Sequence, residues 1–161
     1  MSITIREAAG EEVEALIPLL LLAEPHEGAL RWSLENLSDA AYRMDEDGEP
    51  VGAATVRWRK PPCEIVELAI APDRQGKGLG RRFIQWLIAE GRRRGQAEML
   101  VGTANASLDN IAFYQKCGFR MYEVRRDYFW YHGEPTFENG IQVRDMIVFR
   151  YDLAGQNAGA S

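Results

Sequence analysis

The chain has 161 residues, 46% of them hydrophobic and 27% charged, values that suit one folded domain and exclude a long disordered or collagen-like chain. Its formal net charge of −5 argues against nucleic acid as the main partner, because such proteins carry a basic footprint. Cationic partners fit better, and the two cysteines, Cys63 and Cys117, lie far apart without histidine neighbours; they read as reduced thiols, with no disulfide framework and no metal-ligand spacing.

The N-terminal "MSITIREAAG" lacks the basic region that precedes a signal peptide's apolar core. Ile3 and Ile5 alternate with polar neighbours, which predicts a first strand. Val13, Leu16, Ile17, Leu20 and Leu21 then recur at helical spacing behind Glu11, Glu12 and Glu14, acids suited to the positive end of a helix dipole. Pro18 should kink that helix, because it cannot bond to Glu14. The apolar run Leu16 to Ala23 is well short of the roughly 20 residues that span a bilayer. A soluble, cytoplasmic protein with no membrane partner is expected.

"ALRWSLENLSD" reads as a second, shorter helix. "AYRM" and "VGAATVRWRK" read as strands around "DEDGEP", whose Asp47-Gly48 is a hairpin signal, with the flanking acids suggesting a loop longer than two residues. "CEIVELAIA" is nearly continuous in apolar character, as in a central strand with both faces covered, and Pro72 ends it. Phe83, Ile84, Leu87 and Ile88 mark the core face of a helix from about Gly80 to Arg94, stopped by Gly95. With the strand "AEMLVGT" this predicts a right-handed parallel crossover. A short helix follows over "LDNIAFYQKCGF", with Asp109 as N-cap and Gly118 as stop. "RMYEVRRDYFWY" and "IQVRDMIVFRYDL" then read as strands around the loop "HGEPTFENG". The expectation is one domain over residues 1–153, with a disordered tail over 154–161.

Between the buried strand and its helix lies "RQGKGLGRR". Glycines there let backbone N–H groups face outward at a helix N-terminus, an anion site suited to phosphate. The loop has no Ser or Thr for a Walker motif, and its third glycine, Gly80, comes one position early for a dinucleotide fingerprint. The pattern that fits is Gln/Arg-x-x-Gly-x-Gly. Here the chain resembles the GNAT superfamily of acyl-CoA-dependent N-acyltransferases. "NIAFYQKCGF" resembles that family's second signature, a short helix with a tyrosine followed by Gly-Phe and a strand. The likeness runs from about Ile3 to Phe119, and "FENGIQVRDMI" looks like a group of small bacterial members.

The resemblance implies an α/β fold with a mixed central sheet of six or seven strands flanked by about four helices, acetyl-CoA as co-substrate, and a homodimer. It assigns Leu68, Ala69 and Ile70 to pantetheine, and Gln75, Gly76, Lys77, Gly78, Leu79, Gly80 and Arg81 to pyrophosphate. Tyr114 becomes the candidate general acid for the departing thiolate, and Glu67 the candidate base. Glu64 competes with Glu67, although three residues apart in a strand the two should face opposite ways unless a bulge intervenes. Where the family often has an asparagine contacting the cofactor arm this chain has Ser107, so Asn105 and Asn110 are the nearest candidates. "LVGTAN" offers no ionisable residue. Glu27, Asp127, Tyr128 and Glu134, with His26, His132 and Glu138 nearby, fall where relatives build the acceptor pocket. The expected reaction is acetyl transfer to a primary amine of a small cationic molecule in a ternary complex. The alternatives are a peptide or protein acetyltransferase and a non-catalytic acyl-CoA sensor.

Overall fold

A computed structural model describes residues 2–155 of the chain. The strands are β1 (Ile3–Glu7), β2 (Ala40–Glu46), β3 (Glu49–Arg57), β4 (Cys63–Ile70), β5 (Glu98–Ala104), β6 (Arg120–Arg125), β7 (Phe137–Glu138), β8 (Ile141–Gln142) and β9 (Met146–Asp152), and the helices are α1 (Val13–Leu20), α2 (Glu27–Asn36), α3 (Leu79–Arg93) and α4 (Leu108–Lys116). Seven strands form one sheet in the order β1-β2-β3-β4-β5-β9-β6. Only the β4–β5 pair in it is parallel. It is the α/β architecture expected from the sequence.

Strand alternation sorts the core onto two faces. Tyr42, Met44 and Ala54 pack with Phe83, Ile84, Leu87 and Ile88 of α3. Their neighbours Ala41 and Ala53 pack with Leu16, Ile17 and Leu20 of α1 and Leu30 of α2. Full burial of each large aliphatic among them contributes roughly 1.5–3 kcal/mol.

Several local expectations need correction. α2 has ten residues and α1 eight, because His26 caps α2 early: its Nδ1 accepts the Ala29 N–H at 3.2 Å. Asp47 and Gly48 alone turn the β2–β3 hairpin, at φ +50° and +88°; the flanking acids stay in the strands. Ser107, not Asp109, occupies the N-cap position of α4, without a side-chain capping bond; its hydroxyl donates outward to Glu138 at 2.8 Å. The late loop holds a small hairpin of its own, β7–β8, turned by Asn139 and Gly140 at positive φ. Ala154 donates to the Ala97 carbonyl and Gly155 to Asp152; residues 156–161 of the expected tail lie outside the described residues.

Two irregularities open the middle of the sheet. β4 pairs with β5 only from Cys63 to Ile65, against Met99 to Val101, while β5 continues alongside β9 as far as Ala104. On the other side of β4 the register shifts: Thr55 lies opposite Glu67, but Val56 lies opposite Ile65. Val66 is the extra residue of a β-bulge. Beyond it the parallel strands diverge, leaving a cleft at their C-terminal ends, the usual ligand position in such folds.

Candidate active site

The cleft has a volume of about 1490 Å³ and runs from the glycine loop, between β4 and β5, to the α1–α2 loop and the segment after β6. Leu68, Ala69 and Ile70 form one wall, and Gln75, Gly76, Gly78, Leu79, Gly80 and Arg81 form one end. The three glycines have different jobs. Gly76 and Gly78 sit at φ +78° and +80°, and a Cβ on either would meet no protein atom within 4 Å. Gly80 has ordinary backbone, but a Cβ there would come within 3.2 Å of Phe113, so its bareness lets α3 approach α4. Gln75 braces the loop through its amide, which donates to the Ile70 carbonyl at 3.0 Å. Lys77 is exposed outside the cleft wall.

These residues fit a pyrophosphate. Backbone at two left-handed glycines opens the 15-residue α3, where unbonded N–H groups and the helix dipole favour an anion, and Arg81 adds a cation. Gly78→Ala, which puts a side chain into both the strained conformation and the ligand's space, is expected to weaken CoA binding at least about tenfold in calorimetry. Gly80→Ala should instead lower the melting temperature.

At the bulge the chemistry-bearing groups gather. Glu64 and Glu67 both line the cleft, because the extra residue resets the alternation between them. They are not equivalent. Glu64, 5% exposed, faces Arg57 at 3.6 Å and Arg125 at 3.4 Å. Glu67, 7% exposed, has no cationic partner among the described residues. Its Oε2 accepts from Ser33 at 3.0 Å and its Oε1 from the Thr55 hydroxyl. Burial raises its pKa, the two hydroxyls oppose that, and the charges of Glu24 and Glu64 add to the rise. Tyr114 lies on α4 among Phe113, Phe119 and Phe149. It is 6% exposed and lines the cleft, and its hydroxyl has no hydrogen-bond partner among the described residues. Burial pushes its phenol well above the ordinary value, and Cys117 adds to the rise.

The remaining sequence candidates divide. Asn110 lines the cleft and donates to Thr103 at 3.3 Å. Asn105 is outside its wall: its amide donates to Gln142 and its carbonyl accepts from the N–H groups of Arg144 and Asp145, fastening the connection from β8 to β9. Asp127 and Tyr128 line the end of the cleft away from the glycine loop, and burial raises the Tyr128 phenol. Glu27 and Glu134 do not line it; Glu27 is exposed and pairs with Arg31 one helical turn on. Glu24 and Tyr131 stand there instead, joined by a 2.7 Å hydrogen bond from the phenol to the carboxylate, with His26 edge-on to Tyr131. Sequence reasoning missed Glu24, Ser33 and Thr55. None belongs to a motif, and only the fold brings helix, bulge and loop to one point.

A model of the acetyltransferase (GNAT) family matches residues 12–119. The chain belongs to that family. The uncharacterized N-acetyltransferase YvbK of Bacillus subtilis is 35% identical over 152 residues, covering 92% of this chain and 97% of the relative. The IAA acetyltransferase from Bacillus cereus superposes with a TM-score of 0.83 at 32% identity, over 94% of this chain and 99% of the other. A GNAT family acetyltransferase from Elizabethkingia anophelis, solved with acetyl-CoA bound, gives 0.84 at 29% identity, over 93% and 97%. The protein is thus an acetyl-CoA-dependent N-acetyltransferase of the GNAT family. Among the described residues no helix is long and apolar enough to cross a membrane.

Proposed function

We propose that this acetyltransferase acetylates a primary amine of a small, cationic molecule, by direct attack in a ternary complex. The observation that carries the reading is Glu67: a buried carboxylate without a cationic partner, in the same cleft as the unpartnered hydroxyl of Tyr114. Acetyl-CoA, when bound, supplies an acetyl group activated as a thioester. The glycine loop and α3 hold its pyrophosphate, and Leu68 to Ile70, which have no β5 partner, offer strand backbone to its arm.

An amine with a pKa of about 10 must lose a proton before it can attack, and a thiolate with a pKa of about 8.5 leaves more readily once protonated. Glu67, its basicity raised by burial, takes the amine proton at a carboxylate oxygen, through water. Glu64 is instead held in ion pairs with two guanidinium groups, Arg57 and Arg125. Tyr114 gives the proton of its phenol oxygen to the departing sulfur; with its pKa raised by burial, it stays protonated at assay pH.

Charge at the acceptor end supports a cationic substrate. Glu24, Glu67 and Asp127 line it against the guanidinium of Arg126, with Trp32, Tyr128 and Tyr131 beside them, and an excess of carboxylates with aromatic faces attracts a cation by charge and by cation–π contact. Glu24→Gln is expected to raise KM for cationic amines about tenfold with little change in kcat, as for lost uniform binding, and to leave CoA affinity unchanged. Steady-state rates with cationic, neutral and anionic amines test this. Equal KM values in wild type and variant would remove Glu24 from acceptor recognition.

A further inference from the structure

The bulge at Val66 brings Glu67 directly opposite Thr55, and the two residues then share one hydroxyl in both directions. The Glu67 backbone N–H donates to Thr55 Oγ1 at 3.1 Å. Thr55 Oγ1 in turn bonds to Glu67 Oε1. With the N–H occupying one of its lone pairs, the hydroxyl is set to direct its single proton at the carboxylate. Thr55 is fully buried, at 0% exposure, so no water competes for that proton. The second oxygen, Oε2, accepts from Ser33 Oγ at 3.0 Å. Ser33, 6% exposed, belongs to α2, which starts at the His26 cap and lies 34 residues from Glu67 in sequence. Each carboxylate oxygen therefore has one fixed donor, and each keeps a lone pair for the cleft.

We propose that Thr55 and Ser33 are positioning residues that orient the Glu67 carboxylate from both sides and keep it ionised for proton removal. The proposal rests on the reading of Glu67 as the base. A buried carboxylate without a cationic partner would otherwise tend to take up a proton or turn to any available donor. Two hydroxyls stabilise the charged form without placing a positive charge beside it, whereas Glu64 pairs with Arg57 and Arg125. Other titratable groups whose charges act on this site are Glu24 from the α1–α2 loop, Glu64 from β4, and Tyr128 and Tyr131 from the segment after β6. Arg125 of β6 acts on Tyr128.

The test separates the clamp from the base. Protein labelled with carbon-13 at the glutamate side-chain carboxyl is titrated by NMR, and the Glu67 signal is identified as the one missing from Glu67→Gln. In Thr55→Val, and separately in Ser33→Ala, removing a donor should move the Glu67 titration upward by about one pH unit. kcat, measured with the primary amine that the wild type turns over fastest, should fall more than about tenfold in Thr55→Val and recover in Thr55→Ser. Retained CoA affinity identifies folded variants, and Ser33→Ala stands on a different element should Thr55→Val fail to fold. An unmoved Glu67 titration in the folded variants overturns the clamp while leaving Glu67 as the base. Full turnover by Glu67→Gln overturns the base reading, and with it the purpose of the clamp.

Discussion

Glu67→Gln is expected to lower kcat by about 10²–10⁴-fold, the usual contribution of a positioned base, while CoA affinity stays unchanged. The glycine loop that would hold the pyrophosphate lies at the other end of the cleft and shares no side-chain hydrogen bond with Glu67. The acid limb of the wild-type pH–rate profile should disappear in the variant. A stability change should accompany the loss, and its sign follows from proton linkage. The folded-state pKa of Glu67 is raised, so the folded protein holds this proton more tightly than the unfolded chain does. The stabilisation this confers is complete below the unfolded carboxylate pKa and is lost as pH rises through the folded value. Above the folded-state pKa the wild type therefore carries a buried charge that glutamine does not, while Ser33 and Thr55 can still bond the amide. Glu67→Gln should melt higher than wild type at pH 8, with the gap closing towards pH 4, a trade of stability for activity. Thermal denaturation at both pH values checks this. A variant less stable at pH 8 than at pH 4, relative to wild type, would contradict the linkage.

Tyr114→Phe should separate chemistry from folding in the opposite way. The ring is packed against Phe113, Phe119 and Phe149, and phenylalanine keeps that packing. The hydroxyl has no partner among the described residues, so removing it leaves no other buried polar group unsatisfied. The melting temperature should be unchanged or higher. kcat should nonetheless fall about 10–10³-fold, because the departing thiolate loses its proton donor. Because burial raises the phenol's pKa, Tyr114 cannot supply the acid limb, which should survive in this variant while it vanishes in Glu67→Gln. A large loss of stability with unchanged kcat would make Tyr114 only a core aromatic.

Much of this was legible in the sequence because it rests on local rules. The glycine loop, the apolar β4 and the tyrosine before Gly118-Phe119 each carry their own signal in backbone freedom, periodicity or capping. The order of those signals led to the family. The bulge was less visible: nothing in "CEIVELAIA" distinguishes Val66 as the extra residue, and the relation of Glu64 to Glu67 depends on how β4 registers against β3. Long-range partners were invisible for the same reason. Ser33 and Thr55 are ordinary small polar residues in a helix and a strand, and their contact with Glu67 exists only once α2 lies over the opened sheet. Asn105 lies outside the cleft wall and fastens a loop through its bonds to Gln142, Arg144 and Asp145, a role to which an asparagine near a cofactor motif is equally suited. Glu27 and Glu134 were chosen by sequence neighbourhood, whereas Glu24 lines the acceptor end.

The most direct test of the account is thiol release from acetyl-CoA by the wild type across cationic, neutral and anionic primary amines, with peptide N-termini and lysine peptides alongside, each rate compared with the rate without acceptor. Amine-dependent release, matched by acetylated product and highest for small cationic amines, is the expected result. Release with peptides alone, or a preference for anionic amines, would contradict the proposed acceptor.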